Sequence, residues 1–271
     1  DKMQNSIKLL NKYISVNLRS QLQYRLTFVF EVFGTILLTL TEFAALALVL
    51  LKFENIGGWT VGEVAFLYGT INASFGIMDM FFSGFDPRNF GRHVRMGTFD
   101  QLLLRPINIT LQVLGLEFQF RRIGRIMIGV GILIYSVQTT SILWTGEKAI
   151  VLFFAIIGQI AYFGGLFIFG ATITFWTIES IEVVNILTYG GSDLIAYPMN
   201  IYPELLRKFF TFILPAIFLN YYPALFILGR PDPFNFPPYA HWLSPFAGML
   251  ILFFSLRFWR FGITKYQSTG T

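Results

Sequence analysis

Three carboxylates lie inside long apolar stretches: Glu31, Glu42 and Asp79. A charge at the centre of a bilayer costs about 2.5–3.5 kcal/mol on insertion scales, so such groups usually face a bundle interior or water. Glu31 and Glu42 are eleven residues apart, which at about 100° per residue leaves them about 20° apart around a helix. Thr35 falls near the same stripe. Either this stripe lines a cavity or a subunit contact, or Glu31 and Asp79 sit near the cytoplasmic headgroups while Glu42 meets one hydroxyl. Signatures of other chemistry are missing. The sequence has no Gly-x-x-x-x-Gly-Lys-Ser/Thr loop, no Gly-x-Ser-x-Gly elbow and no His-Glu-x-x-His pair. With no cysteine, disulfides and thiolate metal sites are excluded. His93 and His241 are far apart and expected on opposite sides, so no metal site, catalytic residue or cofactor is assigned to this chain.

The elements that must position these groups follow from composition. Hydrophobic residues make up 55% of the 271 positions and charged residues 13%, with 32 phenylalanines. Soluble domains carry about 25% charge, and here the apolar residues run together, so lipid is the expected solvent. Six stretches reach or approach spanning length: 26–51, 61–85, 123–143, 149–176, 209–228 and the slightly short 243–259. Backbone groups in lipid must be satisfied within their own segment, and none of the runs alternates as barrel strands do. The fold expected is an all-α membrane protein in one transmembrane domain. The stretch 183–197 is short, carries Gly190-Gly191 and runs into Tyr197-Pro198, so it is expected to stay cytoplasmic or half-buried. No signal-type apolar region opens the sequence, and insertion is expected to be driven by the first span.

Basic residues give the orientation. Lys2, Lys8, Lys12, Arg19 and Arg25 precede the first span. Arg88, Arg92, Arg95, Arg105, Arg121, Arg122 and Arg125 follow the second. Arg207 and Lys208, then Arg257, Arg260 and Lys265, bring that face to seventeen; the other has only Lys52, Lys148 and Arg230. Both termini and the arginine loop, 86–122, are therefore expected in the cytoplasm of a multi-pass cell-membrane (inner-membrane) protein. The net charge of +5 reports topology, and nucleic acid is not an expected partner. Ahead of the first span, 6–25 places Ile7, Leu10, Ile14, Leu18 and Leu22 at intervals of three and four. That spacing fits an amphipathic helix in the membrane interface, or a soluble helix packed on a partner.

Three further segments carry character. In the fourth span, Gly158, Ala161, Gly164, Gly165 and Gly170 permit close helix contacts in lipid. The segment 229–242 has four prolines and the side chains Arg230, Asp232, Phe234, Phe236 and Trp242, which fits a rigid external turn or a lid over an outward exit. The arginine loop mixes cations with Phe90, Val94 and the run from Phe99 to Leu104, and Gly97 and Pro106 bracket a short helix. Cations with apolar knobs fit a protein-docking surface better than a purely lipid-binding patch.

Within that loop, Gly97-Thr-Phe-Asp100-Gln-Leu-Leu-Leu-Arg105-Pro106 resembles the cytoplasmic loop of ABC transporter permeases of the exporter (type-2) superfamily. Three other segments agree: Tyr197-Pro198-x-x-x-Tyr202-Pro203, Asn220-Tyr221-x-Pro223-Ala224-x-x-x-x-Gly229, and Trp259-x-x-Gly262-x-x-x-Tyr266-x-Ser268-Thr269-Gly270. The resemblance implies six spans, an N-terminal interfacial helix, and two permeases, the second being the same or a related chain. It further implies two cytoplasmic ATPase subunits, which hold ATP and Mg. The role of a coupling helix seated on the ATPase then falls to Arg88, Arg92, Arg95, Gly97, Asp100, Leu103, Arg105 and Pro106. The hairpin at 229–242 would lie by the external gate. An exported amphipathic or hydrophobic compound is the expected cargo. The rivals are a proton-coupled secondary transporter using Glu31, Glu42 or Asp79, and an integral-membrane lipid-modifying enzyme.

Overall fold

In the computed structural model, residues 2–53, 57–178 and 182–268 are described, and among them every regular element is helical. Thr269 and Gly270 of the last motif, and the side chains of Ile7 and Lys8, lie outside the described residues. Local chemistry sets the helix ends. Helix α1 is Lys2–Gln23 and α2 is Arg25–Phe53. Helix α3, Val61–Phe82, starts at a capping box: Glu63 N–H donates to Thr60 Oγ1 at 3.4 Å, and Thr60 N–H donates to Glu63 Oε2 at 2.8 Å. After one 3-10 turn come α4 (Pro87–Arg95), α5 (Thr98–Leu103) and α6 (Ile109–Leu116). Helix α7 is Ile123–Thr139, and α8, Gly146–Thr177, is capped by Thr145.

Helix α3 is the core of the bundle, buried along almost its whole length. Helices α7 and α8 pack on it, and the last helix, Ser244–Lys265, packs on α8. Glycines allow these close approaches. A Cβ on Gly129 of α7 would stand 2.4 Å from the Ala73 amide nitrogen. One on Gly248 of the last helix would stand 2.1 Å from the Gly158 carbonyl oxygen on α8. Backbone cannot yield as a side-chain tip can, so Gly248→Leu should destabilise the protein by about 1–3 kcal/mol. A lowered Tm in detergent checks this; an unchanged Tm would mean that α8 and the last helix are not held this close.

Among the described residues, four helices are long and apolar enough to cross a membrane by themselves: Arg25–Val49, Val61–Arg95 (which runs on into α4), Gly146–Thr177 and Ser244–Lys265. Helix α7, expected at 123–143, has 17 residues and ends at Thr139, where the Thr140 N–H and hydroxyl both donate to the Ser136 carbonyl.

The largest departure from expectation lies between Glu182 and Leu228. The stretch 209–228, read from sequence as one span, is bent by 84° between Glu204–Ile213 and Ala216–Leu228, a broken or re-entrant pair. The chain turns at Pro215, and Asn220 fixes the corner by donating to the carbonyls of Leu67 (3.0 Å) and Ile195 (2.9 Å). Conversely, the stretch expected not to cross runs the length of α3. It comprises α9 (Glu182–Asn185), a π turn (Ile186–Gly190), α10 (Gly191–Ile195) and a 3-10 turn (Met199–Ile201). The Tyr189 hydroxyl donates to Asp86 just beyond the end of α3 (2.8 Å), and Asn200 donates to the Gly57 carbonyl just before its start (2.8 Å). Gly190-Gly191 do not break this helix because the wider π turn carries them through.

The corner pair continues as α11 (Glu204–Lys208) and α12 (Tyr221–Leu228), and the last helix is α13. Arg207, expected beside the arginine loop, instead lies 4.3 Å over the Phe234 ring, at the end of the bundle marked by Trp59. Lys208 pairs with Glu204 one turn away on the same helix (2.6 Å).

Candidate functional site

The arginine region forms the end of the bundle opposite Trp59, and its helices are rooted in an aromatic knot. The Phe90 ring of α4 lies 5.4 Å from Phe99 of α5, 5.5 Å from Phe175 of α8 and 5.3 Å from Trp259 of α13. Phe85 meets Trp259 edge-on at 5.1 Å, and Phe99 meets Tyr266 at 4.9 Å. Trp259 Nε1–H donates to Thr110 Oγ1 at 3.1 Å, which satisfies the indole at this buried position. Gly97, at φ +67°, supplies the left-handed residue that turns α4 into α5. Asp86 caps α4 and Asn108 caps α6. Gln112 donates to the carbonyls of Leu102 and Ile107, closing the corner before α6.

What this scaffold presents outward is mixed. Arg88, Arg92, Arg95, Arg105 and Pro106 are exposed, together with Met96, Leu103 and Leu104, the last of these 85% exposed. Arg88 stacks 5.0 Å over Tyr189. Two members of the set expected to dock outward also bond inward. Asp100 accepts from the Ser268 hydroxyl at 2.6 Å, and Arg105 donates to the Tyr13 hydroxyl at 3.1 Å. Tyr266 beside Asp100 is pushed up to about 12 by burial and by that carboxylate. Burial, with Arg92 adding to it, pushes His93 below its ordinary value, and its Nδ1 meets the Thr98 hydroxyl at 2.9 Å.

Helix α1 also docks on this region, through residues that sequence reasoning did not single out. Asn17 donates to the Gly115 carbonyl at 3.0 Å, Gln21 donates to the Phe118 carbonyl, and Phe120 N–H donates back to Gln21 Oε1 at 3.1 Å. Tyr13, Asn17 and Gln21 recur every fourth residue, and that polar stripe was the available signal.

The three intramembrane acids are not gathered at one point. Glu31 lies 3.6 Å from Arg121, and the Thr35 hydroxyl donates to the Glu31 carbonyl. Glu42 accepts from the Tyr68 hydroxyl at 3.3 Å. Asp79 Oδ2 stands 2.8 Å from Arg122 Nε without hydrogen-bond alignment, so the contact is ionic. Arg125, counted from sequence as a topology marker, sits inside the bundle. Its Nε donates to Asn72 Oδ1 at 2.7 Å, and its guanidinium lies 4.5 Å over Phe75.

At the opposite end, the residues at 229–242 are pinned. Arg230 forks onto both Glu63 oxygens at 2.7 Å and lies 4.5 Å over Trp59. Asp232 accepts from the backbone of Phe234 (2.9 Å) and Phe236 (2.7 Å). Phe234 lies against Tyr221, Phe236 against Tyr222, and Trp242 against Phe154. These contacts fit a rigid turn.

The family model described as ABC-2 family transporter protein matches residues 36–270. No curated protein matches the chain.

Proposed function

This chain belongs to the ABC-2 transporter family and is a transmembrane permease component of an ABC transporter; from that premise we propose an exporter in which the arginine region receives force from separate ATPase subunits. In this reading six segments cross the membrane: α2, α3, α7, α8, the segment 182–201 and α13. Both termini and the arginine region face the cytoplasm of the cell (inner) membrane. Segment 182–201 replaces 209–228 as the fifth crossing, and the bent pair 204–228 enters from the outer side and returns to it. The contacts at Asn200, Arg207 and Arg230 support that placement.

The observation carrying the proposal is the surface of α4 and α5, where exposed cations and apolar knobs stand on a buried aromatic root. Such a surface binds a protein groove with little reorganisation, and the root transmits its displacement to α8 and α13. Two ATPase subunits, which hold ATP and Mg, would close on ATP and push Arg88, Arg92, Arg95, Gly97, Asp100, Leu103, Arg105 and Pro106 of each permease. A second permease, the same or a related chain, completes the pathway. The cargo is an amphipathic or hydrophobic compound moved outward, and lipid surrounds the assembly. Glu31 and Asp79 each face an arginine, which leaves little for a proton-driven cycle to use.

Asp100 and Arg105 connect the docking surface to the C-terminal tail and to α1. The double change Asp100→Ala, Arg105→Ala should therefore lower efflux of a fluorescent amphiphile several-fold while ATP hydrolysis by the co-purified ATPase persists. Efflux and hydrolysis falling together, or neither changing, would remove coupling from these residues.

A further inference from the structure

We propose that the corner of the bent pair holds the anionic head of an amphiphile, a phosphate or carboxylate bound by Arg207 at the outer face of the membrane. The inference rests on the permease reading above, which places this corner outside, and adds to it a ligand class.

The sequence sets two adjacent cations, Arg207 and Lys208, just ahead of Phe209, Phe210 and Phe212. Basic residues are sparse on the outer side of membrane proteins, so a pair of them there asks for an anion. Helix α11 runs into a π turn, Phe209–Ile213, a distortion that recurs at functional sites. Arg207, Lys208 and Thr211 line one cleft of about 200 Å³, whose other walls are Phe212, Ile217, Phe234 and Phe236. The Phe234 ring under Arg207 attracts its charge but offers no oxygen to its five N–H groups. Among the described residues no carboxylate lies in ion-pair range of Arg207, and no acceptor meets its side-chain N–H groups. Neighbouring groups are engaged elsewhere. Arg230 forks onto Glu63, and Asp232 turns both oxygens to the backbone of Phe234 and Phe236. The Thr211 hydroxyl donates to the Arg207 carbonyl at 2.7 Å. Lys208 is held by Glu204 in an exposed pair, which contributes little and leaves the ammonium free to turn to a stronger anion.

A guanidinium lying on a ring keeps its edge available, and that edge matches two oxygens of a phosphate or carboxylate. Size and polarity describe the rest of the ligand. An apolar cavity of about 150 Å³ holds benzene, so this cleft takes an ionic head with a few carbons behind it and not a whole lipid. The hydrocarbon would continue outside along Leu205, Phe212 and Ile213, all strongly exposed on the same bent pair.

The full chain with its ATPase would be reconstituted in vesicles of equal phosphatidylglycerol and phosphatidylcholine, and native mass spectrometry would count the lipids each permease retains. Wild type should keep phosphatidylglycerol in preference. Arg207→Gln should cut that retention about tenfold, the worth of a hydrogen bond to a charged group. Arg207→Lys, which keeps the charge without the fork, should lie between. Lys148→Gln, at the start of α8, should leave retention unchanged. An unchanged melting temperature in detergent shows that each variant is folded. Efflux of dodecyl phosphate separates the two sources of such a head. A raised KM in Arg207→Gln, with lipid retention as in wild type, would assign the site to cargo. Lost retention with an unchanged KM would assign it to the surrounding lipid. Neither change would overturn the site and spare the exporter reading. Lost retention in a complex that effluxes nothing would keep the site and remove that reading.

Discussion

Replacing Arg122 with alanine is expected to lower stability by about 3–5 kcal/mol, because it strands a buried carboxylate without its counter-charge. Asp79 is 1% exposed and lies in the most buried helix of the molecule. Its neighbour Ser83 donates to the Asp79 carbonyl and leaves the carboxylate to Arg122. The measurement is thermal unfolding of the purified chain in detergent, with folded yield alongside. Arg122→Ala should fall far below wild type, whereas Asp79→Asn with Arg122→Gln should regain most of the loss, since no uncompensated charge remains. If the double variant is as unstable as the single one, the pair is not what matters at this position.

Leu104→Asp should give the second large effect, on assembly rather than folding. Leu104 is 85% exposed on the turn leaving α5, so the substitution costs the isolated permease little. Anchors at the centre of an interface are worth about 2 kcal/mol or more, roughly a thirtyfold change in affinity. A carboxylate placed there should reduce ATPase co-purification by about that factor, with an unchanged melting temperature for the permease alone. Leu104→Ala should lie between. Retained ATPase at wild-type levels would move the docking surface elsewhere.

Much of the architecture was legible because long apolar runs leave the chain little choice. Helices α2, α3 and α8 begin and end close to where the runs do, and α13 begins there but continues past 259 to Lys265. The short helix between Gly97 and Pro106 was legible from its two breaking residues. The segment from 182 to 228 was not. Apolar length favoured 209–228 as a span, yet Pro215 and the hydrogen bonds of Asn220 fold it back. Gly190-Gly191 marked 183–197 as broken, yet a π turn absorbs them. Both shapes are set by long-range contacts that counting residues does not reveal: Asn200 with Gly57 is 143 positions apart. Arg125 was misjudged likewise, because a basic residue at a helix end reads as topology until Asn72 and Phe75 are seen around it.

The aromatic knot also constrains how the protein is made. Its rings come from Phe85, Phe90, Phe99, Phe175, Trp259 and Tyr266, so its last members leave the ribosome long after its first. Until α13 is inserted, the nascent arginine segment has no foundation and its phenylalanines are open to non-native contacts. The arginine segment therefore gains its foundation only once Trp259 is in place, and nascent chains stopped short of it are the form on which membrane quality control would act.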